Sequence, residues 1–127
     1  MKIFLVISGV MAAGLGLGLL FAPASVMGTL GLAIDARIAT LGQAQGAVLV
    51  GLAFTNVMAR DLTGAAVRPV LAGNLVAHAI SIVIKLRAIL LALVSAQEWT
   101  SIGIHLVLGA LFAYFLVRLR GTTSARA

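Results

Sequence analysis

The chain has 127 residues, of which 62% are hydrophobic and only 9% charged, and its mean hydropathy is +1.20. A soluble domain carries about 25% charged residues, so there is too little polar surface here to clothe a water-soluble globule. The net charge of +6 resides in a few basic residues near the ends of apolar runs, which fits anionic lipid headgroups rather than nucleic acid; the lack of cysteine excludes disulfides, thiolate metal sites and thiol redox chemistry.

Four apolar stretches, at about residues 3–21, 39–59, 70–93 and 102–119, are each long enough to cross a hydrocarbon core about 30 Å thick as a helix. None alternates with the period of barrel strands, and helices are the other way to satisfy a backbone in lipid. The expected fold is all-α: a four-transmembrane-helix bundle making one integral membrane domain over residues 1–127.

The first run ends in "LFAPASVMG", where Ala22-Pro23-Ala24 matches the small-x-small pattern of a signal-peptidase site. The run of about 19 residues exceeds the 7–15 of a signal peptide's apolar region, and three more spans follow, so a retained helix is expected. Pro23 then stops that helix, and "PASVMGTLGLAIDAR", with Asp35 and Arg37, reads as a short interfacial segment. Gly14 with Gly18 in helix 1, and Gly42 with Gly46 in helix 2, have the spacing that lets membrane helices approach closely. Pro69 suits the first position of helix 3. "SAQEWT", with Glu98 and the interfacial anchor Trp99, links helices 3 and 4, and the residues after Arg120 read as a mobile tail.

Lys and Arg set the orientation. Lys2, Arg60, Arg68, Arg118, Arg120 and Arg126 fall on one side, against Arg37, Lys85 and Arg87 on the other, which favours cytoplasmic N- and C-termini.

The polar residues inside the spans are the candidate site. Asn74, His78, Ser81 and Lys85 share one face of helix 3, and such a stripe avoids lipid by facing the bundle or a cavity. The matching inward faces are Gln45, Leu49, Leu52 and Asn56 on helix 2, His105, Gly109, Phe112 and Leu116 on helix 4, and Ser8, Ala12, Leu15 and Leu19 on helix 1. Depth along the helices sorts the polar groups into an inner layer of Ser8, Asn56, Asn74 and His78 and an outer layer of Gln43, Gln45, Lys85 and His105. Interhelical hydrogen bonding is one reading of these layers. A pocket for an amphipathic lipid-like molecule, or a proton-transfer site with His78 as acid/base, is the other. Lys85 is an intramembrane cation and candidate functional group if helix 3 runs to Leu93; the favoured reading is that it marks the boundary or snorkels. With Asp35, Asp61 and Glu98 all in loops or at helix ends, a carrier built on a buried carboxylate has no candidate. A bis-His haem within one chain is not expected, because His78 and His105 fall near opposite boundaries. No metal motif and no hydrolase or phosphate-loop motif is present.

At "GLLFAPASVMGTLGL", "GNLVAHAI" and "WTSIGIHLVLGALFAYFL" the chain resembles small bacterial four-helix membrane proteins of the DoxX-like kind. The resemblance implies a four-helix bundle in a bacterial inner membrane, with some relatives resembling subunits of quinone-linked oxidoreductases, and carries over no catalytic residue. The expected function is that of a non-enzymatic interaction or accessory subunit, alone as a homo-oligomer or within a larger membrane complex. A lipid or quinone in the bundle is the expected ligand, membrane lipids are its surroundings, and nucleic acid is not a partner. The alternative is a small isomerase- or cyclase-type enzyme acting on an isoprenoid- or lipid-like substrate. It would use His78 as acid/base, with Asn74 and Asn56 as hydrogen-bond donors. A channel or carrier would need an oligomer to form a lumen.

Overall fold

The computed structural model describes residues 1–29, 31, 34–94 and 98–124, with side chains described as far as Leu119. Within these residues the chain is all-helical, and four helical stretches are long and apolar enough to cross a membrane: Lys2–Phe21, Ala36–Asp61, Gly64–Leu90 and Glu98–Leu119. The chain is a multi-pass membrane protein by this measure. It divides into two compact units, Met1–Arg60 and Asp61–Ala127.

The first unit pairs α1 (Lys2–Phe21) with α3 (Ala36–Met58), joined through the short α2 (Pro23–Gly28). Pro23 stands at the first position of α2, where its missing N–H costs nothing, and the bent Ala22 (φ −138°, ψ 52°) ends α1 just before it. Asp35 starts α3 three residues earlier than its apolar run suggests, its carboxylate accepting the Arg37 and Ile38 N–H groups at 2.9 Å each. The α1–α3 seam is made by glycine. A Cβ on Gly46 would lie 2.6 Å from the Gly16 carbonyl oxygen, and one on Gly16 would lie 2.8 Å from the Gly46 carbonyl oxygen. Gly9 meets Val57 and Ala53 similarly, and Met27 of α2 lies over Gly42. Only residues without Cβ allow backbones this close.

Of the two small-residue pairs in the sequence, Gly42 and Gly46 are therefore in the contact, whereas Gly14 has nothing within 4 Å. In α1 the contacting glycines are Gly9 and Gly16, seven residues apart rather than four. The buried face of α1 runs through Leu5, Ser8, Gly9, Gly16 and Leu19, leaving Leu15 exposed. On α3 the buried face is Gly42, Gly46, Ala53 and Asn56, and Gln45 is exposed. The rotation expected from Gln45 is thus corrected by about 55°, Asn56 staying inside on both readings: close backbone approach, not the glutamine, sets which side of α3 meets α1.

The second unit pairs α4 (Arg68–Leu90) with α5 (Glu98–Ser124), with 3-10 turns at Ala59–Asp61 and Gly64–Val67 leading into α4. Three of the expected boundaries move. Helix α4 stops at Leu90 rather than Leu93, because Ala92 turns left-handed (φ 51°). The Leu93 N–H then reaches the Ala88 carbonyl at 2.9 Å and the Ala92 N–H reaches Ile89 at 3.0 Å, which is the double bond of a Schellman cap. Helix α5 begins at Glu98 rather than Ile102, placing Trp99 in its first turn, and runs on to Ser124 where a tail was expected from residue 120. Residues 95–97 of the expected link and 125–127 of the expected tail, Arg126 among them, lie outside the described residues. A glycine normally fills the left-handed cap position, and alanine there carries a Cβ penalty of roughly 1 kcal/mol. Ala92→Gly is accordingly expected to stabilise the protein by about 0.5–1 kcal/mol, read as a higher Tm in detergent; an unchanged or lower Tm would contradict the strained cap.

Candidate functional site

In each unit the helix pairing brings polar residues together inside the spans. In the first, the Asn56 amide donates to the Ser8 hydroxyl at 3.2 Å, with both residues buried (Ser8 5% and Asn56 0% exposed). This joins two residues of the expected inner layer, and a hydrogen bond of this kind contributes on the order of 0.6 kcal/mol to a membrane bundle. Gln43 donates instead to the Leu20 carbonyl, at the other end of the pair.

The second unit holds the denser cluster. Positions on α4 facing its partner recur at alternating steps of three and four: Leu71, Asn74, His78, Ser81 and Lys85. Those on α5 recur likewise: Glu98, Ile102, His105, Gly109, Phe112 and Leu116. This is the 3.5-residue period of a helix pair meeting along one seam. The expected stripe on α4 and the expected inward face of α5 are both found here.

Two polar contacts bridge the seam. The Nδ1 atoms of His78 and His105 lie 2.8 Å apart, and the Lys85 ammonium pairs with Glu98 Oε2, also at 2.8 Å. Both contacts obey one register: seven residues forward along α4, from His78 to Lys85, correspond to seven back along α5, from His105 to Glu98. They are therefore separated by two helical turns, about 10.5 Å. Phe112 is fully buried and stacks on His78 with ring centroids 5.5 Å apart. Gly109 faces His78, and a Cβ there would sit in ordinary van der Waals contact with the His78 Cβ at 3.5 Å. Asn74 is buried, its amide donating to the Val70 carbonyl one turn back at 2.8 Å.

This geometry corrects two readings made from the sequence, the separate layers of the histidines and the lack of a buried carboxylate. His78 and His105 do not lie in separate layers: they touch. Lys85 is paired with a carboxylate at the first residue of α5, an arrangement that a residue near the boundary can also adopt. Glu98 stands at a helix end, as the first residue of α5, but its side chain is only 4% exposed against 26% for Lys85. A buried carboxylate is thus available after all, held by its own cation. The polar cluster reduces to Ser8 with Asn56 in one unit and Asn74, His78, Ser81, Lys85, Glu98 and His105 in the other. Exposed Gln45 belongs to neither.

Chemically, the histidine contact requires one Nδ1 to carry the proton and the other to accept it. In the neutral pair, the ring that donates keeps a bare Nε2, and the ring that accepts carries its proton on Nε2. The pair therefore presents one N–H donor and one lone-pair acceptor outward. Moving the bridging proton across, with matching exchange at the two Nε2 atoms, swaps those roles. Opposed Nδ1 atoms at 2.8 Å leave no room for a metal between them, since two nitrogen ligands on opposite sides of an ion stand about 4 Å apart at roughly 2 Å each. No group of three or more candidate metal ligands occurs among the described residues.

Comparison with known proteins gives no match of this chain to a family model, to a curated protein or to a solved structure.

Proposed function

We propose that the protein is an interaction or accessory subunit of a bacterial inner membrane, and that its His78–His105 pair receives the polar end of a lipid-like or quinone ligand. The observation that carries this reading is the Nδ1–Nδ1 contact at 2.8 Å within two spanning helices. A donor and an acceptor side by side match a carbonyl or hydroxyl head on an apolar molecule, the chemistry that quinones and many lipids share. The resemblance to DoxX-like proteins points the same way, and the Lys/Arg distribution supports cytoplasmic termini around a four-span bundle. Gly14, Gly51 and Gly73, with nothing within 4 Å, leave room on their helices for another helix to approach, in a homo-oligomer or a larger complex.

Titration of the purified protein in nanodiscs with a short-chain ubiquinone analogue tests this reading. Saturable binding is expected, weakened about tenfold or more by His105→Ala or His78→Ala, in line with the loss of one to two hydrogen bonds from a buried site. Equal binding by wild type and both variants would overturn it.

The second reading, a small membrane enzyme with His78 as acid/base, is favoured by one feature: His105 gives His78 a hydrogen-bonded partner through which a proton can pass. In any isomerase or cyclase assay that the wild type supports, His105→Phe would then depress turnover while leaving substrate binding nearly intact. Loss of binding alone would return the pair to the ligand-holding role.

A further inference from the structure

At the opposite end of the α4–α5 pair from Glu98 lies an open groove of about 370 Å³, lined by Ala65, Arg68, Pro69, Ala72 and Leu116. Its walls are apolar except for one guanidinium. Arg68 is half-buried and makes no ion pair or side-chain hydrogen bond with any described residue. Lys85 is occupied by Glu98, Arg60 by the Val57 carbonyl, and Arg118 lies over the ring of Tyr114. Arg37 and Arg87 likewise have no side-chain partner among the described residues, but both are exposed and neither lines the groove. Arg68 begins α4 after the four residues of the 3-10 turn that opens the span Gly64–Leu90, so it sits about 8 Å from that span's end. No acidic residue stands in the first turn of α4 and no side chain caps it, so the helix dipole adds positive potential where the guanidinium already is.

We infer that this groove binds an anionic phospholipid, its phosphate on Arg68 and the start of its acyl region along Ala72 and Leu116. Three independent features converge on that ligand. The charge is unmatched within the described residues, the depth is that of a headgroup, and the wall leading toward the middle of the span is apolar. Guanidinium takes a phosphate in a bidentate manner. A zwitterionic lipid offers the same phosphate but adds a quaternary ammonium that the Arg68 charge and the helix dipole repel, so the net-anionic headgroup is preferred. A basic pocket between spanning helices is a recurrent form of acidic-lipid site. The groove is too small for a whole lipid and suits a phosphate and glycerol unit, with the chains continuing into the bilayer. The inference is independent of the histidine site.

Native mass spectrometry of the detergent-solubilised protein, with short-chain phosphatidylglycerol and phosphatidylcholine offered together, tests it. The wild type is expected to retain the anionic lipid about fivefold better, the discrimination one basic residue near a surface provides. Arg68→Gln should erase that preference. Ala72→Phe, which fills the groove and leaves the guanidinium in place, should reduce retention of both lipids. Arg37→Gln, in the other unit, should change nothing. A preference that survives Arg68→Gln, or equal retention of both lipids by the wild type, would overturn the inference. So would displacement of phosphatidylglycerol by millimolar inorganic phosphate, which would mark a free-anion site in place of a lipid one.

Discussion

Gly46→Ala is expected to destabilise the protein by about 1–3 kcal/mol, whereas Gly51→Ala, on the same helix, leaves it unchanged or slightly more stable. Both substitutions add one methyl group and the same gain in helix propensity. They differ in what the methyl meets. At Gly46 it would stand 2.6 Å from the Gly16 carbonyl oxygen and 3.0 Å from the Leu20 nitrogen; at Gly51 nothing lies within 4 Å. Carbonyl and amide atoms of a helix cannot rotate aside as a side chain can, so α1 and α3 must separate. That separation also stretches the Asn56–Ser8 hydrogen bond, itself only 3.2 Å long. Unfolding in mixed micelles titrated with a denaturing detergent reads the difference directly, and equal stabilities for the two variants would mean the glycine contact is not what holds α1 to α3.

The second large effect concerns Lys85 and Glu98. Removing the cation alone, as in Lys85→Met, leaves a carboxylate that is only 4% exposed with its ion-pair partner gone. The cost of breaking a buried pair is about 3–5 kcal/mol, and the 26% exposure of Lys85 places this one at the lower end, about 3 kcal/mol. Glu98→Gln should cost less, about 1–2 kcal/mol, because an amide needs no counter-charge. The double variant Lys85→Met/Glu98→Leu should return close to wild-type stability, since the desolvation of both charges disappears with their attraction. With the single variant Glu98→Leu closing the double-mutant cycle, the coupling should be large and favourable. Strictly additive losses would show that the two charges act separately.

Much of this architecture is legible in the chain. Hydropathy and length identify the four spans, Pro23 marks the end of α1, and the steps of three and four among Asn74, His78, Ser81 and Lys85 reveal the inward face of α4. The inward face of α5 follows from His105, Gly109 and Phe112 in the same way. The pairing of the two histidines is not legible, and the reason lies in the turn. Apolar residues continue through Leu91, Ala92, Leu93 and Val94, and the left-handed position is filled by alanine, which sends no stop signal. Reading α4 to residue 93 and α5 from residue 102 places His78 about 22 Å from the turn and His105 about 4.5 Å from it. With the observed ends, Leu90 and Glu98, the distances become about 18 Å and 10.5 Å. The remaining difference of about 7.5 Å is the length by which α4 runs past the first residue of α5, the same offset that sets Lys85 beside Glu98. A few residues of error at each end therefore misplaces a contact that the spacing itself encodes. The glycines teach a related lesson. Spacing of four singles out Gly14 and Gly18, but the helix rotation that buries Ser8 selects Gly9 and Gly16.

The matched seven-residue steps on α4 and α5 also bear on errors of assembly. Slide α5 by one turn and Lys85 comes opposite Ile102, while His78 comes opposite Gly109. Slide it by two turns in one direction and Glu98 meets His78, but Lys85 is left beyond the start of α5 with no residue of that helix opposite it. In the other direction Lys85 meets His105, and Glu98 is the group stranded. Every misregistered hairpin thus exposes a cation, an anion or an imidazole to hydrocarbon, where each such group is costly. Only one alignment satisfies all four side chains at once, so these contacts act as a proofreading device on a pair of helices whose apolar surfaces would otherwise tolerate many ways of lying side by side.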